Sequence, residues 1–337
     1  MKKKYAITAG LLALVCFLGS TAAVADSFNP TPSTQPVGFE GSIVEVIAGE
    51  SVSANAEGES SPEPAGCVPV AENQEIETYR GVSVGGQLRA TDPDGDELHF
   101  EITTEPIKGS VVLTPDGCFI YTPDEGKKGK DYFAFRAIDS KGNQSQEATV
   151  IIKLLRQRSD ICYSDLVGDE CAYSATVLAE NGIFTGERVG ASWVYHPDDE
   201  VSRGEFLSMC MVLGGEDILQ GVLTTGFLDD DEIDDWMKPY VSTALTQGYI
   251  QGVSADGGAN FLAAECVSAT DACHILNAVL GVTDVVTAST IEDSTPQAVI
   301  NLKACGVLSD NASLDGALTR REAADMLAKA LDILNAR

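Results

Sequence analysis

The chain has 337 residues, of which 51 are acidic and 22 are basic, and its net charge at pH 7 is −29. A surface of this charge repels the phosphates of nucleic acids, so the composition argues against a DNA- or RNA-binding protein. Roughly 310 residues remain after a predicted leader, which is enough for two or three domains.

The first 25 residues have the pattern of a secretory signal. Three lysines follow Met1, an apolar run covers residues 9–18, and the segment ends in Ala-Val-Ala at residues 23–25. We expect cleavage after Ala25. The alternative, a retained anchor helix, is disfavoured because the apolar run falls short of the ~20 residues that a membrane span needs. Cleavage would remove three lysines and no acid from a net charge of −29, leaving −32, and would release a secreted chain without a membrane span.

Eight cysteines follow the leader, and an exported protein can form disulfides. The two pairs to test first are Cys162 with Cys171 and Cys67 with Cys118. Cys210 and Cys273 occupy apolar positions of predicted helices, so we expect buried thiols there. The sequence contains no CxxC motif and its three histidines are far apart, a pattern that does not favour a zinc site.

Residues 26–67 are rich in serine, proline and glutamate and are predicted to be a flexible spacer. The piece GSIVEVIAGESV inside it could form one strand.

From residue 68 to 156 apolar and polar residues alternate in short runs separated by turn sequences such as Asp94-Gly95 and Asp116-Gly117. Alternation with a period of two, broken by such turns over some 85 residues, predicts a β-sandwich.

Within this region the stretches ATDPDGDELHFEI, DGCFIYTP and GKDYFAFRAIDSKG resemble the bacterial cadherin-like and immunoglobulin-like modules of surface proteins. The resemblance implies a calcium site, because many such modules bind calcium. Carboxylate oxygens suit this ion, and the candidate ligands are Asp92, Asp94, Asp96, Asp131 and Asp139. The alternative is a solvated acidic turn without a metal, and the spacing is not that of an EF-hand.

From residue 160 to 337 the pattern is helical and repeats three times, near residues 161–214, 225–281 and 290–334. Each copy has a helix that ends at a glycine, a loop, and a second helix that begins with a hydroxyl residue followed three positions later by an acid. This spacing predicts an N-terminal cap, and a capping box where the acid is glutamate. The predicted capping residues are Ser202 with Glu205, Ser268 with Asp271, and Thr319 with Glu322. Apolar residues at i, i+3, i+4 and i+7 follow each cap and predict a buried face.

The motifs SRGE, GIFTG, GYIQG, TRRE, YSDL and FLDD resemble the S-layer homology family. The resemblance implies that the three units fold together into one all-α domain with pseudo-three-fold symmetry, which binds cell-wall polysaccharide, often pyruvylated. The second copy departs from the family pattern, since it has SATD in place of the basic motif. The predicted architecture is therefore a multidomain chain, with an all-β sandwich followed by an all-α S-layer homology trimer.

Arginines at the helix starts are the candidate anion-binding residues. A cation at the first helical position opposes the macrodipole by roughly 0.3–1 kcal/mol, and a helix N-terminus beside a guanidinium is suited to bind a carboxylate. The glycan-binding candidates are Arg203, Arg320, Arg321 and Trp236. The alternatives are that the arginines pair with local carboxylates such as Asp198, Asp199 or Glu200, and that Trp236 belongs to the core.

We therefore predict a protein of the cell wall or cell surface, attached non-covalently to wall polysaccharide through its repeats and displaying the sandwich. The alternative is a calcium-dependent adhesin whose helical part binds other surface proteins. We do not expect an enzyme, because the sequence lacks the GxSxG, HExxH and glycine-rich phosphate-loop motifs. Calcium is the only cofactor that the residues suggest.

Overall fold

The computed structural model describes residues 66–283, 295–310, 312–314 and 316–337. They belong to one compact unit that spans Ser60–Arg337. The predicted signal and the predicted strand in the spacer lie outside the described residues. None of the helices in the described ranges has the length and apolar character that a membrane crossing requires.

The first part of the structure is a β-sandwich of nine strands. Their bounds are β1 (Val70–Ala71), β2 (Gln74–Tyr79), β3 (Val84–Gln87), β4 (Ala90–Thr91), β5 (Leu98–Thr104), β6 (Gly109–Leu113), β7 (Cys118–Pro123), β8 (Gly129–Asp139) and β9 (Ala148–Leu155). One sheet has the order β2-β9-β8-β5, a second has the order β3-β7-β6, and β1 pairs with β4. All pairs are antiparallel except β2 with β9, where Gln74 lies opposite Val150.

The core of the sandwich comes from the alternating residues that the sequence pattern picks out. Phe133 and Phe135 of β8 are fully buried, as are Val150 and Ile152 of β9. Phe119 of β7 meets Phe133 edge-to-face at 5.2 Å and so joins the two sheets. The all-β first domain is thus confirmed, and its core follows from a period of two along each strand.

A buried polar contact closes one end of the sandwich. Asp131 accepts hydrogen bonds from the amides of Ile107 and Lys108 and from the hydroxyl of Tyr121, whose oxygen lies 2.9 Å away. Both Asp131 and Tyr121 are buried. Burial, with a smaller contribution from Asp131, raises the pKa of Tyr121 well above its usual value, so the hydroxyl stays a donor.

The second part contains six described α-helices. They are α1 (Cys171–Glu180), α2 (Arg203–Gly214), α3 (Lys238–Gln247), α4 (Ala269–Leu280), α5 (Gln297–Ala304) and α6 (Arg320–Ala336). The sequence pattern predicts only loops between the paired helices, and this is wrong in two places. Short hairpins, β10 (Glu187–Val189) with β11 (Ser192–Val194) and β12 (Val253–Ala255) with β13 (Gly258–Asn260), lie there. Three-residue strands give too short an alternation to read from sequence.

The predicted caps and helix ends are present. Ser202 and Thr319 form complete capping boxes with Glu205 and Glu322, whereas Ser268 accepts from the amide of Asp271 without the reciprocal bond. The side chain of aspartate is one methylene shorter than that of glutamate, which accounts for the missing hydrogen bond between the Asp271 carboxylate and the Ser268 amide. The glycines predicted to end the first helix of each pair, at positions 182, 248 and 306, all have left-handed φ angles between 68° and 76°.

A ring of three backbone hydrogen bonds joins the starts of the capped helices. The amide of Val201 donates to the carbonyl of Leu318, that of Leu318 donates to Val267, and that of Val267 donates to Val201, each at 2.9 Å. All three residues are buried. The apolar faces of α2, α4 and α6, predicted from their spacing, are buried in the one core that surrounds this ring.

Two aspartates make equivalent hydrogen bonds to the backbone in the first two repeats of the helical part. Asp165 accepts from the amides of Tyr195 and His196, and Asp229 accepts from those of Phe261 and Leu262. His196 and Leu262 have left-handed backbones, with φ of 56° and 61°. Because this conformation strains residues with a side chain, the carboxylate bonds help to fix it.

The sandwich packs against the helical part near α1. Tyr79 of β2 stacks on Tyr173 of α1 with 6.1 Å between ring centroids. The amide of Gly168 donates to Ser83 Oγ at 3.0 Å, and Val82 belongs to the helical core. A Cβ added at Gly85 would lie only 2.9 Å from Cβ of Glu170. The two parts therefore contact each other directly.

The eight cysteines of the described residues are all free thiols. The bridges considered between Cys162 and Cys171 and between Cys67 and Cys118 are not formed. The amide of Cys67 donates to Asp94 Oδ2, while Cys118 Sγ contacts Gln87 and Asp116. Cys210 and Cys273 are buried thiols, as predicted from their helix positions.

Replacing a capping serine by alanine tests how much the hydrogen bonds of its hydroxyl contribute. We expect Ser202→Ala to lower the free energy of unfolding by about 1–2 kcal/mol and Ser268→Ala by about 0.5–1 kcal/mol, since the Ser202 hydroxyl both accepts from the Glu205 amide and donates to Glu205 Oε2, whereas Ser268 accepts from the Asp271 amide. Urea unfolding followed by circular dichroism measures both changes. Equal losses for the two variants would contradict a contribution from the bond that the Ser202 hydroxyl donates to Glu205.

The buried contact in the sandwich gives a second test. Tyr121→Phe removes one donor from Asp131, and we expect a loss of about 2 kcal/mol in the free energy of unfolding. Tyr132→Phe is the matched control, because the Tyr132 side chain is 46% exposed, and it should change stability by less than about 0.5 kcal/mol. If both variants unfold at the wild-type urea concentration, the Tyr121 hydroxyl does not stabilise the sandwich.

Candidate functional site

Arg203, the first predicted anion-binding residue, lies between two repeats. Its Nη1 is 3.1 Å from Oδ2 of Asp271, and its guanidinium stacks over the ring of Phe261 at 5.6 Å. Its side chain is only 12% exposed. Asp271, whose side chain does not complete the capping box of α4, thus pairs with Arg203 at the start of α2.

Arg320 occupies the corresponding position in the last repeat. Its Nη1 donates to the carbonyl of Tyr195 at 3.0 Å, and carboxylates of Glu187 and Asp199 lie 3.5 and 3.7 Å from the guanidinium nitrogens. The guanidinium also stacks over Phe184 at 5.4 Å. Like Arg203, it is 12% exposed.

Arg321 contacts the segment before α1. Its Nη1 and Nη2 donate to the two carboxylate oxygens of Asp169 at 2.5 and 3.1 Å, and Nη2 also reaches Asp198 at 3.2 Å. Burial raises the pKa of Asp169, but the bonds from Arg321 and from the amide of Cys171 outweigh this and hold it below its usual value.

Each of the three arginines therefore has a carboxylate partner. Asp198 and Asp199, considered as local partners from the sequence, contact Arg321 and Arg320 respectively. Glu200 instead accepts from Cys266 Sγ at 2.9 Å. These acids offset the unfavourable interaction of a cation with the positive end of a helix. A role of the arginines in binding an external anion stays a prediction.

Trp236 is 52% exposed and lines a surface groove of about 390 Å³, so it does not lie in the core. Its ring contacts that of Tyr240 at 6.4 Å with an interplanar angle of 72°. The groove is bounded by the chain after α1, one face of α2 and the start of α3. Its lining residues are Gly182, Ile183, Phe184, Thr185, Glu205, Ser208, Met209, Val212, Trp236 and Tyr240. We call it the Trp236 groove.

The predicted calcium ligands fall into two groups. Ligand oxygens of Asp92, Asp94 and Asp96 lie within 4.8 Å of one another in the loop between β4 and β5. The ammonium group of Lys141 is 2.7 Å from Asp96 Oδ2 and 4.0 Å from Asp94 Oδ2. Hydrogen bonds from Cys67, with a smaller effect from Lys141, lower the pKa of Asp94. The positive charge that this loop contacts in the structure is therefore the ammonium group of Lys141.

Asp131 and Asp139 are not part of this cluster. Asp139 accepts from the amides of Lys141 and Asn143 and from the Asn143 side chain. Asp131 lies eight residues earlier on the same strand, roughly 26 Å away at ~3.3 Å per residue, where it binds Tyr121. The predicted set of five ligands is therefore reduced to three by the fold.

A cavity of about 610 Å³ lies between the sandwich and the helices, and no sequence motif points to it. It is bounded by β2 and β3 on one side and by α1 and α6 on the other. The lining includes Glu77, Tyr173, Asp325 and Asp332. These residues are up to 255 positions apart in sequence, so no local motif could reveal it.

A comparison with curated proteins found no match. Among solved structures, the chain is similar to an endo-fucoidan hydrolase of glycoside hydrolase family 107 (17% identity, TM-score 0.23, 27% of this chain and 16% of that chain). It is also similar to human protocadherin-24 EC1-2 (18%, 0.22, 26% and 44%) and to the sialic acid binding region of a Streptococcus sanguinis adhesin (18%, 0.21, 29% and 31%).

The chain spans less than half the length of each of these three structures, and similarities of this size carry no argument about function. A sequence model of the bacterial cadherin-like domain matches residues 67–156, which are the residues of the nine-stranded sandwich. The helical part lies outside that match. The first described part of the chain is therefore a bacterial cadherin-like domain.

Proposed function

We propose that this chain is an exported surface protein whose helical part attaches it to envelope polysaccharide and presents the cadherin-like domain outward. The observation that carries the proposal is the closed ring of hydrogen bonds among Val201, Val267 and Leu318. A ring of this kind is what three S-layer homology units folded into one pseudo-three-fold domain would require.

Further features support equivalent roles for the three repeats. Each contributes two helices, a left-handed glycine near the end of the first helix, and a hydroxyl cap on the second. In the first and third copies an arginine follows the cap and lies over an aromatic ring. In the second copy Ala269 occupies this position, so it offers no guanidinium to stack on an aromatic ring.

The Trp236 groove is the proposed glycan site. Its volume lies in the range of small-molecule pockets, and it exposes an indole beside a phenol ring. Aromatic rings with a polar edge offer an apolar face for the C–H groups of a sugar and a hydrogen-bonding group at the rim. The predicted secretory signal and the cadherin-like domain both favour a place at the cell surface.

Binding to the cell wall tests this proposal. The mature chain should cosediment with purified wall sacculi, and Trp236→Ala should weaken binding about fivefold to tenfold, because a stacking contact is worth about 1–1.4 kcal/mol. Tyr132→Ala, which removes an exposed aromatic ring from the sandwich, is the control and should bind as the wild type does. Failure of the folded wild-type chain to cosediment would rule the proposal out.

A calcium-dependent adhesin is a second candidate function. Besides the three clustered aspartates, Oδ2 of Asp92 is buried without a hydrogen-bond partner in the described part of the chain. A divalent cation would supply that partner. The helical part would then bind other surface proteins instead of glycan.

Calcium titration followed by thermal melting separates the two candidates. If the Asp92 loop binds calcium, the melting temperature should rise with calcium concentration, and at 100 times Kd the stabilisation reaches about 2.7 kcal/mol. Asp94→Asn should abolish the rise, while Asp116→Asn, in another acidic turn of the sandwich, should preserve it. A melting temperature that does not change with calcium would remove this candidate.

A further inference from the structure

We infer that the Trp236 groove binds an uncharged sugar unit and not a carboxylated one. The inference rests on the proposed function of the helical part as a glycan-binding domain. It concerns the charge of the ligand. The resemblance of the sequence motifs implies an acidic, often pyruvylated glycan, whereas the groove favours a neutral sugar.

The lining of the groove provides no counter-charge for an acid. Its side chains include the rings of Phe184, Trp236 and Tyr240 and the hydroxyls of Thr185 and Ser208. Among the described residues that line it, none is a lysine, arginine or histidine, and the one charged group is the carboxylate of Glu205. A carboxylated ligand would therefore bring a second negative charge beside the first.

Glu205 cannot easily turn away from such a ligand. Its Oε2 accepts from the amide of Ser202 at 3.1 Å and from the Ser202 hydroxyl at 2.9 Å. These two bonds form half of the capping box at the start of α2. Moving the carboxylate out of the groove would break that box.

The nearby arginines are already neutralised. Arg320 stacks on Phe184 at the edge of the groove, but it is bound to Glu187, Asp199 and the carbonyl of Tyr195. Arg203, two residues before Glu205, is paired with Asp271. An anionic ligand would have to displace these partners, and from residue 160 onward the sequence has 29 acids against 8 bases. An uncharged pyranose needs only the aromatic faces and the polar groups.

The test uses the full mature chain and wall polysaccharide in two forms, native and with its carboxyl groups chemically reduced to alcohols. We expect affinities within about twofold of each other and little change as NaCl rises from about 50 to 300 mM, since no charge pair is formed. Trp236→Ala should weaken binding of both forms about fivefold to tenfold.

Glu205→Gln separates a neutral from an acidic ligand, because glutamine preserves the capping box while removing the charge. The ratio of its affinities for the native and the carboxyl-reduced polysaccharide should match that of the wild type within about twofold, as should the ratio for Glu322→Gln, the equivalent cap outside the groove. Loss of binding after carboxyl reduction, a steep salt dependence, or a shift of this ratio towards the native form in Glu205→Gln alone would overturn the inference and leave the proposed function standing. If the native polysaccharide is not bound at all, both are overturned.

Discussion

Three amide hydrogen bonds hold the helical part together where its capped helices begin. In most helical repeats each unit contacts only its neighbours in a row, but here the last helix start returns to the first through Val201 and Leu318. Because the ring is closed and buried, α2, α4 and α6 can share one core around it. Backbone hydrogen bonds beside the ring, from Arg203 to Glu265 and from Arg320 to Asp199, fix where these two arginines lie.

The ring also explains why charged residues at the helix starts form ion pairs. Closure brings the start of α2 against the repeat that follows it, so Arg203 meets Phe261 and Asp271, and it brings α6 against the first repeat, where Arg320 meets Phe184 and Tyr195. The second cap has Asp271 where the other two have glutamate. Its carboxylate does not bond back to the amide of Ser268 and instead pairs with Arg203. The aromatic groove beside these pairs is left without positive charge.

Local periodicity was sufficient to predict the core strands, the capped helices, their buried faces and the glycine ends, because each depends on neighbours within a few residues. The parallel pairing of β2 with β9 and the roles of Asp165 and Asp229 depend on partners tens of residues away. The short hairpins pair locally, but their three-residue strands are too short to show a period of two. The two aspartates belong to the sequence motifs YSDL and FLDD, but only the fold shows which backbone amides they bind. The groove around Trp236 joins three separate segments, and only the tertiary fold could show that the arginines beside it are paired.

The joint between Tyr79 and Tyr173 has a mechanical consequence. A pull on the sandwich would reach α1 through the stacked rings and the Ser83 contact. The segment just before α1 is tied to α6 by the two bonds between Asp169 and Arg321. These contacts would therefore distribute the force over both α1 and α6, the helices of the first and the last repeat.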